Sequence, residues 1–355
     1  MCKESQRILK LIIYCEVQMN ILKTTFMGVS LNSPIIAGAG SIGADLNKAK
    51  DLENAGTGAI VYKSLFEQQI ELESLQIEEQ IEQYSERNAE MISIFPKFKH
   101  AGPIEHLEKL RELKKILSIP LIASINCIEY ESWIDYCLQA EKTGIDGIEL
   151  NFYSSDFDKT KTADSIESYQ KNVIKKVSSS VKIPVSIKLS SFYANPVNAV
   201  CGFDKEGAKG FVLFHREFTP GIDIQKEKYR YPLQLSNSLG SNTAQRFAAL
   251  IYKNIKSEIC CSTAVFESAD VLKMILSGAS CVQMVSAVYK KGVKHIAVVL
   301  KEITDWMNER DYKSIEEIRG KLSKDSMKDP LFSSRSSYIE ILANNEAIIL
   351  KEFAR

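Results

Sequence analysis

The sequence predicts an α/β protein built as a (β/α)8 TIM barrel, on three observations. One motif recurs in "ENAGTGAIVYKS" (53–64), "EKTGIDGIELNF" (141–152), "KEGAKGFVLFH" (205–215) and "LSGASCVQMVS" (276–286). Each copy is a helix end, a glycine, a short apolar run and a polar residue. A second form alternates with it, in "NSPIIAGAG" (32–40), "SIPLIASIN" (118–126), "KIPVSIKLS" (182–190) and "SEICCST" (257–263). Between the eight apolar runs lie stretches of helical periodicity. Nearly continuous apolar strands alternating with amphipathic helices imply a parallel sheet covered on its outer face. Eight such units imply a closed barrel. An open doubly wound sheet is the alternative, and "GAGSIG" (38–43) is read as near the glycine fingerprint of that fold but without its spacing.

The elements follow in order. The glycine of the first motif stops a helix cheaply because it accepts the left-handed conformation. The run after it has strand length and β-branched content. Helices are predicted over "PIEHLEKLRELKKIL" (103–117), "ESYQKNVIKKVSSSV" (167–181), "TAQRFAALIYKNI" (243–255) and "SADVLKMIL" (268–276). Two insertions interrupt the rhythm, residues 65–102 after barrel strand two and 216–242 after strand six. Both leave the carboxyl ends of strands, where barrel loops build active sites, and loops of that length usually serve function. Within the first, 67–89 is polar and helical in character; a solvated lid is the bland reading and a subunit contact, giving a homodimer, the sharper one. Residues 1–18 read as an extension of doubtful status, 19–310 as the barrel, and 311–355 as a helical tail packed on it.

Forty-five basic and 45 acidic residues leave no net charge, which removes the broad electrostatic case for nucleic acid or an anionic membrane. The apolar stretch in "RILKLIIYCEVQMN" (7–20) falls well short of the ~20 residues that span a bilayer. Eight cysteines form no CxxC pair, and several sit within apolar runs, as small hydrophobes in a reducing cytoplasm would. No HExxH, EF-hand or iron–sulfur cysteine pattern appears, so no metal is expected.

In a barrel the strand ends share one pocket. Reading them off gives Lys63, Asn126, Asn151, Lys188, His215, Ser262, Thr263 and Ser286. A buried ammonium is costly unless an anion meets it, so lysines on strands two and five favour an anionic ligand over a structural ion pair. His215 ends a strand and could protonate a substrate or bind its carboxylate; a pocket-lining ring bonded to backbone is the alternative. His100, His106 and His295 are expected at the surface.

"NSPIIAGAG", "VYKS", "ELN", "IPVSIKLS", "LGS" and above all "SGASCVQMVSAVYKKG" resemble, in order and spacing, the FMN-dependent dihydroorotate dehydrogenase family, over most of residues 20–310. The resemblance implies oxidation of dihydroorotate to orotate in pyrimidine biosynthesis. A base would remove one proton and a hydride would pass to flavin N5. It implies that Lys188 stabilises reduced flavin, that Lys63 holds flavin and substrate, and that Asn151 orients the substrate ring. It further implies FMN contacts at Ala39, Gly40, Ser64, Asn126, Gly240, Thr263, Ala264, Ser286 and Ala287, and a substrate contact at His215. Counting three residues on from Asn151 puts Ser154 at the base position, with Tyr153 and Ser155 as alternatives, since a serine is basic only with a partner.

The chain also departs from the family. No N-x-x-G-x-x-N segment is evident in "MISIFPKFKHAGP", His215 stands where an asparagine is expected, and Ser262–Thr263–Ala264 replaces a Gly-Gly phosphate turn. Such a turn can still bind phosphate if its φ is negative. These departures mark a divergent branch. The expectation is a cytoplasmic flavin oxidoreductase with a small anionic substrate and a soluble electron acceptor or separate redox partner. The rivals are an FMN enzyme for a different anionic substrate, a non-catalytic barrel binding a phosphorylated ligand, and a Schiff-base aldolase using Lys188 or Lys63.

Overall fold

The computed structural model describes residues 21–66, 103–126, 130–153, 159–216, 220–230, 235–237, 241–326 and 339. A ribbon of β1 (Thr24–Phe26) and β2 (Val29–Leu31) leads into β3 (Ile35–Ala37), α1 (Leu46–Asn54), β4 (Ala59–Phe66) and α2 (Pro103–Ile116). Next come β5 (Leu121–Asn126), α3 (Tyr130–Glu141), β6 (Gly147–Asn151), α4 (Ala163–Ser180), β7 (Val185–Leu189), α5 (Pro196–Asp204) and β8 (Gly210–Leu213). A second ribbon, β9 (Gly221–Asp223) with β10 (Lys228–Arg230), precedes α6 (Asn242–Ile251), β11 (Glu258–Ser262), α7 (Ser268–Ser277) and β12 (Cys281–Met284). The chain continues with α8 (Ser286–Lys291), α9 (His295–Asn308) and α10 (Ile315–Ile318).

The eight predicted runs are the eight strands β3 to β8, β11 and β12, all parallel and closed into a barrel. The seam is the β12–β3 pair, with Val282 opposite Ile35. Gly56, Gly144, Gly207 and Gly278, the glycines of the recurring motif, all have positive φ, between 84° and 120°. The helix-stop reading therefore holds at each copy. Gly38, Gly40 and Gly43 do have the G-x-G-x-x-G spacing. In the barrel they serve packing instead: a Cβ on Gly38 would lie 2.7 Å from Val285 Cγ2, and one on Gly43 3.0 Å from Ile60 Cγ2.

The barrel interior is apolar at its amino end. Ile36, Ala59, Val61, Ile122, Val212, Cys260 and Cys281 pack there around Phe26, Met27 and Leu31 of the first ribbon, which plugs the floor. Met27 and Gly28 both have positive φ (58° and 76°), as a two-residue type I′ hairpin requires. Gly147 and Gly210 make room for the plug, because a Cβ would approach Met27 Cε at 2.7 Å and Phe26 Cε2 at 2.8 Å. Glu258 anchors the ribbon by accepting from Gly28 N (3.0 Å) and the Thr25 hydroxyl. Cys137, Cys201, Cys260, Cys261 and Cys281 are free thiols, as expected of small hydrophobes.

His106 overturns its surface assignment. It lies on the inner face of α2, 2% exposed, with its ring edge-on to Tyr62 at 4.8 Å. His295 is half-buried, its Nε2 2.7 Å from the Phe266 carbonyl. The exposed β9–β10 ribbon lies inside the second insertion, where no strand was expected. Residues 67–102, with the lid or subunit-contact reading of 67–89, lie outside the described residues, as do residues 1–20. From the tail, Gly320, Leu322 and Lys324 donate backbone bonds to Ile275, Leu276 and Ala249, tying 320–324 to α6 and α7. No helix among the described residues is long and apolar enough to cross a membrane.

Candidate active site

Strand parity carries polar side chains into the carboxyl half of the barrel. Alternate residues of a strand share a face. Val61 is therefore followed inward by Lys63, Ile122 by Ser124, Gly147 by Glu149 and Asn151, Cys260 by Ser262, and Cys281 by Gln283. Within one step along the axis the interior changes from apolar to polar.

The first polar layer is a hydrogen-bonded ring spanning the barrel. Lys188 Nζ donates to Gln283 Oε1 (2.7 Å) and to Glu149 Oε1 (3.4 Å), and Gln283 Nε2 donates to Glu149 Oε2. A lysine only donates and a carboxylate only accepts, so the Gln283 amide has one orientation. Ser124 Oγ donates to Glu149 Oε1 (3.2 Å), which leaves Ser64 as the donor in the 2.7 Å Ser64–Ser124 bond. Glu149 and Gln283 are each 1% exposed. Their mutual satisfaction is what makes burial of the Lys188 ammonium tolerable.

Above this ring lies a cavity of about 430 Å³. Ala39, Val265, Val285 and Phe66 give it apolar walls. Lys63, Lys188 and Arg216 line it, and no aspartate or glutamate does so among the described residues. Tyr153 meets His215 edge-on at 5.0 Å and Phe66 at 6.4 Å, an aromatic row across one side. His215 is pushed down to about 4, first by burial and then by the Lys188 charge, so its ring is neutral at neutral pH. His106 supports the opposite wall: its Nε2 lies 3.1 Å from the Lys63 carbonyl, and a carbonyl only accepts, so that nitrogen carries the proton. Burial lowers His106 to about 4, outweighing the bond to the Lys63 carbonyl, and the Lys63 charge adds slightly to the lowering.

The turn after β11 closes the cavity on another side. Thr263 and Ala264 have φ of +75° and +60°, where L-residues are strained. A negative φ was expected for a turn without glycine. Instead the left-handed conformation is present without the glycines that would adopt it freely, held in part by the Thr263 hydroxyl donating to Phe214 O at 3.0 Å. Ser286 accepts from Ser236 N at 3.0 Å, and Lys290 donates to Ser236 O at 2.7 Å, fixing the neighbouring wall.

Comparison with known proteins places the chain in a family. The sequence model of the family described as dihydroorotate dehydrogenase matches residues 21–307. The chain belongs to the dihydroorotate dehydrogenase family. That makes it an oxidoreductase acting on CH–CH groups, in a flavin-dependent family. It is 24% identical to a dihydroorotate dehydrogenase B (NAD(+)) catalytic subunit of Methanocaldococcus jannaschii, over 84% of this chain and 97% of the relative. The corresponding subunit of Thermoplasma volcanium is 25% identical, over 85% and 98%. A chloroplastic dihydropyrimidine dehydrogenase (NADP(+)) of Arabidopsis thaliana is 22% identical, over 84% and 76%.

In this dihydroorotate dehydrogenase-family barrel, twelve of the residues singled out from sequence line the cavity: Ala39, Gly40, Lys63, Ser64, Asn151, Tyr153, Lys188, His215, Ser262, Thr263, Ala264 and Ser286. Two do not. Asn126 turns away to donate to the Asn151 and Tyr153 carbonyls, bracing the loop after β6, and Ala287 is buried behind the wall. Ser154, Ser155 and Gly240 lie outside the described residues. Sequence reasoning missed Glu149, Gln283 and Arg216. The first two share strand parity with Asn151 and Cys281, a signal that was present. Arg216 follows His215 directly and carried no signal of its own.

Proposed function

We propose that this chain is an FMN-dependent dehydrogenase of pyrimidine biosynthesis that takes two hydrogens from adjacent carbons of dihydroorotate. The observation that carries the reading is a cavity at the carboxyl end of the barrel with three cationic side chains and no carboxylate in its described lining. Its volume falls within the ~300–1,000 Å³ typical of cofactor sites. Apolar walls suit a flat ring, and the strained Thr263–Ala264 turn beside Ser286 suits a phosphate; backbone conformations of that cost persist mainly at ligand sites. When bound, the flavin supplies an acceptor for the two electrons that leave the CH–CH unit.

The chain's own groups do the rest. Lys188, fixed by Glu149 and Gln283, presents a positive charge that needs no reorganisation as negative charge develops beside it. Lys63 lines the cavity, where it holds flavin and substrate, and the Asn151 carboxamide orients the substrate ring. The loop after Asn151 supplies the proton acceptor, Ser154 by position. Tyr153 lines the cavity one residue earlier and could act in its place. Electrons leave to a separate redox partner, as suits a chain whose relatives include proteins named as catalytic subunits.

The test is an absorbance spectrum of FMN-loaded protein followed by anaerobic dihydroorotate. Bleaching of the flavin bands is expected. Unbleached bands would retain the cofactor and sink this substrate, and protein that takes up no FMN would overturn the reading altogether.

A further inference from the structure

The loop after β8 brings two side chains to the cavity that differ in kind. His215 is neutral at working pH and offers hydrogen bonding without charge. Arg216, the next residue, keeps its charge at any working pH. Its Nη1 is buried with no hydrogen-bond partner among the described residues. The buried carboxylate Glu149 is bonded instead to Lys188, Ser124 and Gln283. Across the same cavity, the Asn151 Oδ1 is a buried acceptor without a donor.

A guanidinium donor and an amide acceptor, both unmatched in one cavity, are completed by a ligand bearing an anion and a ring N–H. The guanidinium fork matches the two oxygens of a carboxylate better than any neutral group. We propose that Arg216 is a specificity-determining residue that reads the substrate's carboxylate and selects a carboxylated dihydropyrimidine over a neutral one. The inference rests on the reading above and deepens it. It also separates the two chemistries named among the relatives, dihydroorotate with its carboxylate and dihydropyrimidine without. A neutral ring would leave Arg216 unpaired, and sites with an unmatched buried polar group discriminate strongly.

The experiment is calorimetric titration of FMN-loaded protein with orotate and with uracil, the same ring lacking the carboxylate. It needs no turnover, so its outcome is independent of whether dihydroorotate bleaches the flavin. The wild-type protein should bind orotate at least tenfold more tightly than uracil. Arg216→Ala should lose tenfold or more for orotate and nothing for uracil, and Arg216→Lys should fall between, with FMN content and melting temperature unchanged in both. The proposal is overturned if wild-type protein prefers uracil or binds neither. It is also overturned if Arg216→Ala keeps its orotate affinity, or if the variant sheds FMN while its loaded fraction binds orotate normally. The last result would assign Arg216 to the cofactor's phosphate.

Discussion

Replacing Ala264 with glycine should cost this protein almost nothing, although Ala264 is buried. Three terms decide the outcome. Deleting a buried methyl forfeits about 0.8 kcal/mol of transfer free energy. Glycine adds backbone entropy to the unfolded chain, worth roughly 0.5–1 kcal/mol. Against these, φ of +60° at Ala264 places an L-residue in the left-handed region, at a cost of about 1–2 kcal/mol that glycine does not incur. The sum is near zero. Ala248, equally buried within α6, gives the comparison. There the transfer and glycine terms both oppose the substitution and nothing offsets them, so Ala248→Gly should lower stability by about 2 kcal/mol. Urea unfolding of both variants beside wild type reads the difference directly. Equal destabilisation would show that the turn stores no strain, and would remove the argument that Thr263 and Ala264 are held for a ligand.

Two further outcomes follow from the buried polar groups. Glu149→Ala should destabilise by about 3–5 kcal/mol, because it leaves the Lys188 charge without its carboxylate; adding Lys188→Met should recover part of that loss, and a double variant no more stable than the single would contradict the coupling. Lowered histidines also make stability depend on pH: the unfolded chain binds protons at about 6.5 that folded His106 refuses until about 4, so stability is complete above pH 6.5 and falls as pH drops towards 4. At ~1.4 kcal/mol per pH unit the His106 contribution is roughly 3 kcal/mol, and His106→Gln should flatten the pH 4–6.5 limb by that amount in chemical denaturation; an unchanged limb would mean that the ring titrates normally.

The barrel was legible because its punctuation is local. A glycine that ends a helix at positive φ is visible in one residue, and four copies at regular intervals locate half of the strands. Lys63, Asn151 and Lys188 were legible for a related reason, since a polar residue closing an apolar run has one sensible destination in a barrel. Glu149 and Gln283 were not, because a charged or amide residue inside a strand reads equally well as facing solvent. Only the parity shared with Asn151, and with Cys281 of β12, marks them as inward. His106 was misread although it continues the apolar stripe of Leu110 and Leu113 on α2 and of Leu117 just past its end, all buried. The turn at 263–264 was not legible at all: the residues there favour negative φ, and the surrounding structure overrides them.

The division of charge within the barrel ties these findings together. Among the described residues three cations line the cavity, and one of them, Lys188, has its counter-charge built in through Glu149 and the Gln283 amide. That pairing makes Lys188 part of the fold, positioned before any ligand arrives. Lys63 and Arg216 have no ion-pair partner among the described residues, so their balance is left to what binds. An interior that kept three unpaired cations would be costly, and one that paired all three would have nothing to offer an anion. The apolar floor makes the compromise tolerable. Phe26 and Met27 of the plug, admitted by Gly147 and Gly210, keep the lower barrel dry and well packed. Stability is concentrated at the end that meets no substrate, and the electrostatic imbalance is confined to the end that does.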